Sequence, residues 1–188
     1  LFEEIDLEIL KDKHTVITGD NGSGKSTLLG LISGILIPDK GTVTISSNKL
    51  AYVGATPLII NGTLRENFTY GSKDTISDKE MISLAESYKL FANNLELNLE
   101  SSVSNKSLSS GQMQKISFIR AMLSNPDILI LDESTSNLDF DSKNIIKSQL
   151  ENLNLTIINS THNTEEIDFD IRLNVDIDKN SRVLRIIN

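Results

Sequence analysis

Short apolar runs alternate along this chain with stretches in which apolar residues recur every three or four positions. Residues 128–131 are apolar throughout, and residues 15–18 and 156–160 each contain two adjacent aliphatic residues, so we predict all three to be parallel strands that are buried on both faces. Residues 43–45 and 50–53 are shorter runs that we also predict to be strands. Strands that alternate with helices in this way favour a layered α/β domain with a mostly parallel sheet.

The predicted helices are indicated by their spacing and by the residues at their ends. The first carries an apolar stripe and ends at Gly34, before a turn at residues 38–41. Two further helices are predicted over residues 109–123 and residues 141–153. We expect the last apolar residues of the chain to form a β-hairpin around residues 178–180.

The middle of the chain has a different character, with helical spacing and few strand signals. Ser77 and Glu80 have the S-x-x-E spacing of a capping box, which predicts the start of a helix. We interpret the apolar stripe that follows as core packing. The stripe consists of Met81, Leu84, Ala85, Tyr88 and Phe91. Residues 56–106 are therefore expected to form a mostly helical insertion without catalytic motifs of its own.

Composition and charge narrow the range of functions. The chain has 188 residues, which suits one domain, and a formal net charge of -8, which disfavours a nucleic-acid partner. It contains no cysteine, so disulfides and thiol catalysis are excluded. No apolar run approaches the roughly 18 residues of a membrane span. Because the first residue is Leu1 rather than Met, we expect the sequence to be part of a longer chain.

Residues 19–26 (G-D-N-G-S-G-K-S) fit the phosphate-binding pattern G-x-x-x-x-G-K-[ST]. Glycines let the backbone curl so that successive N–H groups face one anion, and the following helix directs its positive end toward that anion. We predict that Lys25 lies between the β- and γ-phosphates and that the Ser26 hydroxyl binds Mg²⁺. The predicted contacts to a nucleoside triphosphate come from Asn21, Gly22, Ser23, Gly24, Lys25, Ser26 and Thr27.

The apolar run at residues 128–131 ends in two carboxylates, Asp132 and Glu133. Ligands bind at strand ends of an open parallel sheet, so Asp132 is predicted to hold Mg²⁺ through its water shell. Glu133 would orient or deprotonate the attacking water. Taken alone, an acidic pair after a core strand is more typical of an ordinary charged turn, and it is the phosphate loop earlier in the chain that favours the catalytic interpretation.

Two histidines receive different interpretations. His162 follows the run at residues 156–160, and it can donate to a γ-phosphate only if that run lies beside the strand that ends at Asp132. This placement is a prediction. His14 precedes the first strand, and we interpret it as structural.

The motif that identifies a family is Leu108-Ser109-Ser110-Gly111-Gln112, at the start of a predicted helix. Ser109 can cap this helix and bind an anion, and Gly111 permits close backbone approach. Following the phosphate loop and preceding the two carboxylates, the motif resembles the LSGGQ signature of ABC ATPases. Ser110 stands in place of the first of the two glycines.

The order of the remaining motifs resembles the exporter-type members of the same family. Residues 61–67 (N-G-T-L-R-E-N) resemble the N-G-T-I-R-x-N segment, and residues 38–41 resemble the turn after the first helix. Residues 134–139 resemble the D-loop, with Asp139 as its acid, and His162 matches the switch histidine. The resemblance covers essentially the whole chain.

The resemblance implies a fold and a division of the chain. The fold would be a P-loop NTPase (RecA-like) core with a mostly parallel sheet, a small antiparallel β part and an inserted α-helical subdomain. Residues 1–55 and 114–188 would form the catalytic core, and residues 56–113 the helical signature subdomain. The transmembrane domain of such a transporter is absent from this sequence. Through that domain, the chain is expected to lie at the cytoplasmic face of the membrane.

The resemblance also implies how the site works. ATP and Mg²⁺ bound to one domain would be closed by the signature helix of a second domain, in a homodimer or a heterodimer. Hydrolysis would power export of an unknown substrate. Glu133, His162 and Lys25 would be catalytic, and Ser26 and Asp132 would be the metal ligands. The residues that would contact the partner's nucleotide are Ser109, Gly111, Gln112 and Asp139.

Three departures from the family leave alternatives open. Ala55 occupies the position at which the family usually has the Q-loop glutamine, and a methyl group cannot bind Mg²⁺ or water. The aromatic residue that stacks on adenine would precede Leu1, and we interpret Phe2 as core. Residues 100–107, before the signature, form a shorter segment than usual. The alternatives are a regulatory domain that binds ATP without hydrolysis and a soluble ABC ATPase outside transport.

Overall fold

The computed structural model describes residue 2 and residues 5–91, 97–136, 138–151, 153–162, 168–178 and 181–187. The chain divides into two compact units. The first comprises Leu1–Tyr52, Asp127–Glu133 and Asn154–Asn188, and the second comprises Val53–Pro126 and Ser134–Leu153. The division predicted at residues 55 and 113 remains a prediction.

Strands predominate in the first unit, whose described residues include one helix, and helices predominate in the second. In chain order the elements are β1 (His14–Thr18), α1 (Lys25–Ile32), β2 (Leu50–Gly54), β3 (Gly62–Thr63), α2 (Leu64–Thr69), α3 (Asp78–Ser87), β4 (Ser102–Val103), α4 (Ser110–Leu123), β5 (Ile128–Asp132), α5 (Phe140–Glu151), β6 (Thr156–Ser160), β7 (Ile171–Asp178) and β8 (Ser181–Ile187).

The main sheet has six strands in the order β2-β5-β6-β1-β7-β8. The strands β5, β6, β1 and β7 pair in parallel, and β7 pairs with β8 antiparallel. A separate two-stranded antiparallel sheet joins β3 and β4. The α/β class, the mostly parallel sheet and the small antiparallel part predicted from the sequence are confirmed.

The strands at the centre of the sheet are buried because both of their faces carry apolar side chains. All five residues of β6 are buried, as are the first four of β5. Helix α1 lies against these two strands and buries Leu28 and Leu29. The buried core of this unit consists of Ile17, Leu28, Leu29, Ile128, Ile130, Ile158, Leu173 and Val175.

In the second unit, α2, α3 and α5 pack against α4. The α2 helix begins with a complete capping box, in which the Thr63 side chain and the Glu66 side chain bond each other's backbone N–H. Ser77 likewise caps α3 by accepting from the Glu80 N–H. The rings of Tyr88 and Phe118 stack with their centroids 6.3 Å apart, which ties α4 to the end of α3.

Most elements predicted from the hydrophobic pattern are confirmed, but two predictions are wrong. Residues 56–106 are not mostly helical, because only α2 and α3 are helical among the described residues of this range, which also contains β3 and β4. The stripe on α3 does form core, since Met81 and Ala85 are buried. The strand predicted at residues 43–45 is wrong, because these residues are exposed and no strand of the described chain pairs with them. The C-terminal hairpin is confirmed by the pairing of β7 with β8. Its turn residues Lys179 and Asn180 lie outside the described residues.

In the ranges that the structure describes, no helix is both long enough and apolar enough to cross a lipid bilayer.

Candidate functional site

A glycine-rich loop connects the end of β1 to the start of α1. Gly19 has a φ angle of 144°, and a Cβ atom there would collide with the backbone oxygen of Val175 on β7. Gly22 and Gly24 also have positive φ angles, of 78° and 108°. These conformations favour glycine, and they turn the backbone tightly around the N-terminus of α1.

The loop presents donors to an anion. Gly24 is the N-cap residue of α1 and supplies no side-chain acceptor, so the first N–H groups of the helix have no capping partner from it. The Ser23 hydroxyl is buried and has no hydrogen-bond partner among the described residues. Together with the positive end of the helix, these groups fit the phosphates of a nucleotide.

Lys25 is held inside the loop, with only 5% of its surface exposed. Its Nζ donates to the backbone oxygens of Gly19, at 2.9 Å, and Asp20, at 3.1 Å. The same Nζ lies 4.0 Å from Glu133 Oε1. An ammonium group has three donors, so the two carbonyl oxygens fix its position and leave one donor for another ligand.

Two hydroxyl groups bind the carboxylate at the end of β5. Ser26 Oγ donates to Asp132 Oδ1 at 3.2 Å, and the Tyr52 hydroxyl donates to Asp132 Oδ2 at 2.8 Å. Partial burial, followed by the hydrogen bond to this carboxylate, raises the pKa of Tyr52 well above its ordinary value. The tyrosine therefore stays protonated and acts as the donor.

The chemistry of this donor set fits Mg²⁺. In the described part of the chain, no three histidine, aspartate or glutamate side chains are grouped so that they could hold a metal ion by themselves. Magnesium is usually bound by one or two carboxylates, with the phosphates of the substrate and water completing its shell. Asp132 and Ser26 are suited to a Mg²⁺ ion that arrives with a nucleotide.

Glu133 and His162 meet beside this carboxylate. Strands β5 and β6 run in parallel with Asp132 opposite Ser160, which confirms the predicted neighbourhood of the two strands. The Glu133 N–H donates to the Ser160 oxygen at 2.9 Å, and Glu133 Oε1 lies 2.9 Å from His162 Nε2. Glu133 has a φ angle of 50°, so the chain leaves the strand direction at this residue.

The second unit contains the other predicted group, at the N-terminus of α4. Ser109 caps this helix, as predicted, by accepting from the Gln112 N–H at 3.2 Å. Gln112 Oε1 accepts from the Ser109 N–H at 2.9 Å, which completes a capping box. Ser109 and Ser110 are exposed, so the start of this helix is accessible to a ligand.

Gly111 is buried, and its lack of a side chain has a packing reason within the unit. A Cβ atom at Gly111 would lie 3.2 Å from Ser142 Oγ and 3.4 Å from Asp139 Oδ2. Asp139 accepts from the Ser142 N–H at 2.8 Å and from Ser142 Oγ at 3.0 Å. These two bonds, the backbone one first, lower the pKa of Asp139. The first turn of α4 therefore lies close against the start of α5.

The structure also adds residues that the sequence interpretation did not single out. Tyr52 is one, and the only signal for it is its place on the solvent side of an alternating strand. Gln114 is another: it is buried, and its Nε2 donates to the Gly54 oxygen at 3.0 Å. His14 agrees with a structural interpretation, because it is half-buried at the start of β1 and burial lowers its pKa.

The predicted site residues thus fall into two groups. The first unit brings the phosphate loop together with the acids and the histidine, namely Lys25, Ser26, Asp132, Glu133 and His162. The second unit brings together Ser109, Gly111, Gln112 and Asp139. Asn137, within the predicted D-loop, lies outside the described residues.

A family model described as ABC transporter matches residues 2–136 of this chain. Among curated proteins, the chain is 37% identical to ABC transporter B family member 17 of Arabidopsis thaliana over 168 residues. That match covers 80% of this chain and 14% of the plant protein. The chain is 33% identical to the ATP-dependent permease MDL1 of Candida albicans over 187 residues, which is 89% of this chain and 27% of the permease.

The chain is also similar to a bacterial relative and to a solved structure. The lactococcin-A transport/processing ATP-binding protein LcnC of Lactococcus lactis subsp. lactis is 34% identical over 178 residues, which is 86% of this chain and 25% of that protein. The structure of a bacterial Atm1-family ABC exporter with ATP bound superposes with a TM-score of 0.82 at 26% identity. This match covers 93% of this chain and 34% of the exporter chain. The chain therefore spans well under half the length of each of these relatives.

Proposed function

This chain belongs to the ABC transporter family, and we propose that it is the domain that binds and hydrolyses ATP to power transmembrane export. The observation that carries the proposal is the group of acids and histidine beside the phosphate loop of the first unit. Relatives described as exporter, permease and transport proteins support the export role. We also propose that a transmembrane domain holds the chain at the cytoplasmic face of a membrane.

Each side chain of the first unit has a task in this mechanism. The loop N–H groups and Lys25 bind the phosphates and compensate the negative charge that develops on them. Ser26 and Asp132 hold Mg²⁺, which, when bound, neutralises charge on the leaving and transferred phosphates. Glu133, positioned by its contact with His162, orients the attacking water and accepts its proton.

The second unit would serve a nucleotide bound to another copy or to a related domain. The exposed hydroxyls at the start of α4 and the positive end of this helix suit a phosphate. In the capping box, Ser109 uses its oxygen as an acceptor, so its hydroxyl hydrogen remains for an anion. We propose that two ATP molecules are each closed between the loop of one domain and the Ser109–Gln112 turn of the other.

A test of hydrolysis decides between this function and a second candidate. Ala55 supplies no polar group at the position of the usual glutamine, which favours a regulatory domain that binds ATP without turnover. With Lys25, Glu133 and His162 in place, we expect the purified chain to release phosphate steadily at millimolar ATP and Mg²⁺. Absence of phosphate release, with ATP binding retained, would support the regulatory alternative.

Two substitutions of Ser109 separate capping from nucleotide binding. Ser109→Ala removes the cap and is expected to lower the free energy of unfolding by about 1 kcal/mol, whereas Ser109→Gly should cost only a few tenths. Both variants lose the hydroxyl that we assign to the partner's nucleotide. We therefore expect both to weaken ATP-dependent dimerisation equally, as measured by analytical ultracentrifugation. If only Ser109→Ala weakened dimerisation, in parallel with its lower stability, and Ser109→Gly did not, the role of Ser109 would be capping alone.

A further inference from the structure

Tyr52 is the only polar side chain on β2, whose sequence is Leu-Ala-Tyr-Val-Gly. Its neighbours Ala51 and Val53 are buried, and strand alternation places the tyrosine on the other face. The strand order sets β2 beside β5, which ends at Asp132. The hydroxyl therefore reaches the proposed metal carboxylate from a strand that has no other polar side chain.

The two oxygens of Asp132 are bound from different elements. Oδ1 accepts from Ser26 on α1, and Oδ2 accepts from Tyr52 on β2. A carboxylate held in this way cannot rotate without losing one of the two bonds. Because Ser26 donates its hydrogen to Asp132, the lone pairs of its oxygen remain for a cation.

The bond from Tyr52 is not required for satisfying a buried group. The tyrosine is 38% exposed, so its side chain is not enclosed in the core. What the bond does is to fix the orientation of the carboxylate. The bond therefore serves the site rather than the stability of the sheet.

We propose that Tyr52 is a positioning residue that holds Asp132 in the orientation that binds the Mg²⁺ of a nucleotide complex. The inference rests on the proposed function, since it takes Asp132 as the metal carboxylate. The inference also bears on Ala55, which lies three residues after Tyr52 at the position where the family usually has a glutamine. By fixing the Asp132 carboxylate, the tyrosine hydroxyl limits the effect of losing the glutamine side chain.

The experiment compares Tyr52→Phe with the unchanged chain in the binding of a fluorescent N-methylanthraniloyl derivative of ATP. Binding is measured in excess EDTA and again across a Mg²⁺ series. We expect the affinity in EDTA to stay within about twofold, because no contact to the nucleotide is lost. The Mg²⁺ concentration for half-maximal enhancement should rise about five- to tenfold, in line with the typical net contribution of one hydrogen bond.

Two controls sharpen the comparison. Tyr70→Phe removes another tyrosine hydroxyl, from a residue that is 50% exposed and keeps its ring beside Arg120, and it should leave both measurements unchanged. Adding Tyr52→Phe to Asp132→Asn should produce no further change in the Mg²⁺ response, because the tyrosine acts through that carboxylate. A further change in the double variant would overturn the positioning role.

The remaining outcomes are distinct. An unchanged or lowered Mg²⁺ requirement in Tyr52→Phe would overturn the inference and leave the proposed function intact. Equal weakening with and without Mg²⁺ would also overturn it, because the tyrosine would then act on the nucleotide or on the fold. If the unchanged chain binds the ATP derivative with no response to Mg²⁺, the proposed function itself fails.

Discussion

Glu133→Gln is expected to bind ATP without hydrolysing it and to accumulate as a dimer. The amide keeps the size and the hydrogen-bonding reach of the carboxylate, but it cannot accept the proton of the attacking water. Phosphate release should fall at least about a hundredfold, the effect typical of losing a general base. Because each ATP contacts both domains in the proposed sandwich, ATP that is not hydrolysed should hold them together.

Two measurements check this expectation. Steady-state phosphate release reports the chemistry, and size-exclusion chromatography with and without ATP and Mg²⁺ reports the dimer. Glu86→Gln removes the same charge from an exposed position on α3 and should behave like the unchanged chain. A dimer that forms to the same extent without ATP would argue against the nucleotide sandwich. Normal turnover in Glu133→Gln would remove Glu133 from the catalytic group.

Lys25→Ala is expected to abolish nucleotide binding at any concentration used for the unchanged chain. The substitution removes the only cationic side chain of residues 19–26 and its bonds to the Gly19 and Asp20 oxygens. It also leaves the carboxylate of Glu133 without the ammonium that lies 4.0 Å away. Charge-assisted hydrogen bonds are each worth about 1.5–3 kcal/mol, so we expect the Kd for ATP to rise at least about a hundredfold.

Isothermal titration calorimetry with ATP and Mg²⁺ measures this change directly. Lys79→Ala is the matched control, since it removes an exposed lysine charge from α3 and should leave the Kd unchanged. Circular dichroism at the same temperature establishes that both variants are folded. Binding by Lys25→Ala within a few-fold of the unchanged chain would mean that the phosphate loop is wrongly assigned.

Much of the fold could be predicted because its strands are buried on both faces. The apolar run at residues 128–131 and the Ile157–Ile158 pair place aliphatic side chains on both faces of a strand, and the strands observed there begin and end within one residue of the predicted bounds. Residues 43–45 show the limit of this approach. An apolar run forms a strand only where another strand supplies hydrogen-bond partners, and the run itself does not reveal whether one is present.

The parts of the site that could be predicted are those in which spacing along the chain determines chemistry. The phosphate loop and the Ser109 cap are local patterns, so the sequence contains all that is needed. The bond from Tyr52 to Asp132 joins residues eighty positions apart, and it depends on the order of strands in the sheet. The packing reason for Gly111 is similar, because it is set by contacts with Asp139 and Ser142 on another element.

The left-handed backbone at Glu133 has a consequence for anyone who engineers this domain. A residue with a Cβ atom in that conformation costs about 1–2 kcal/mol relative to glycine. Under the proposed function, the side chain that suits folding at this position therefore differs from the one that chemistry requires. A library screened for thermal tolerance alone would enrich glycine or asparagine there and produce proteins that are thermally stable but catalytically inactive. Position 133 therefore has to be held constant in any such screen.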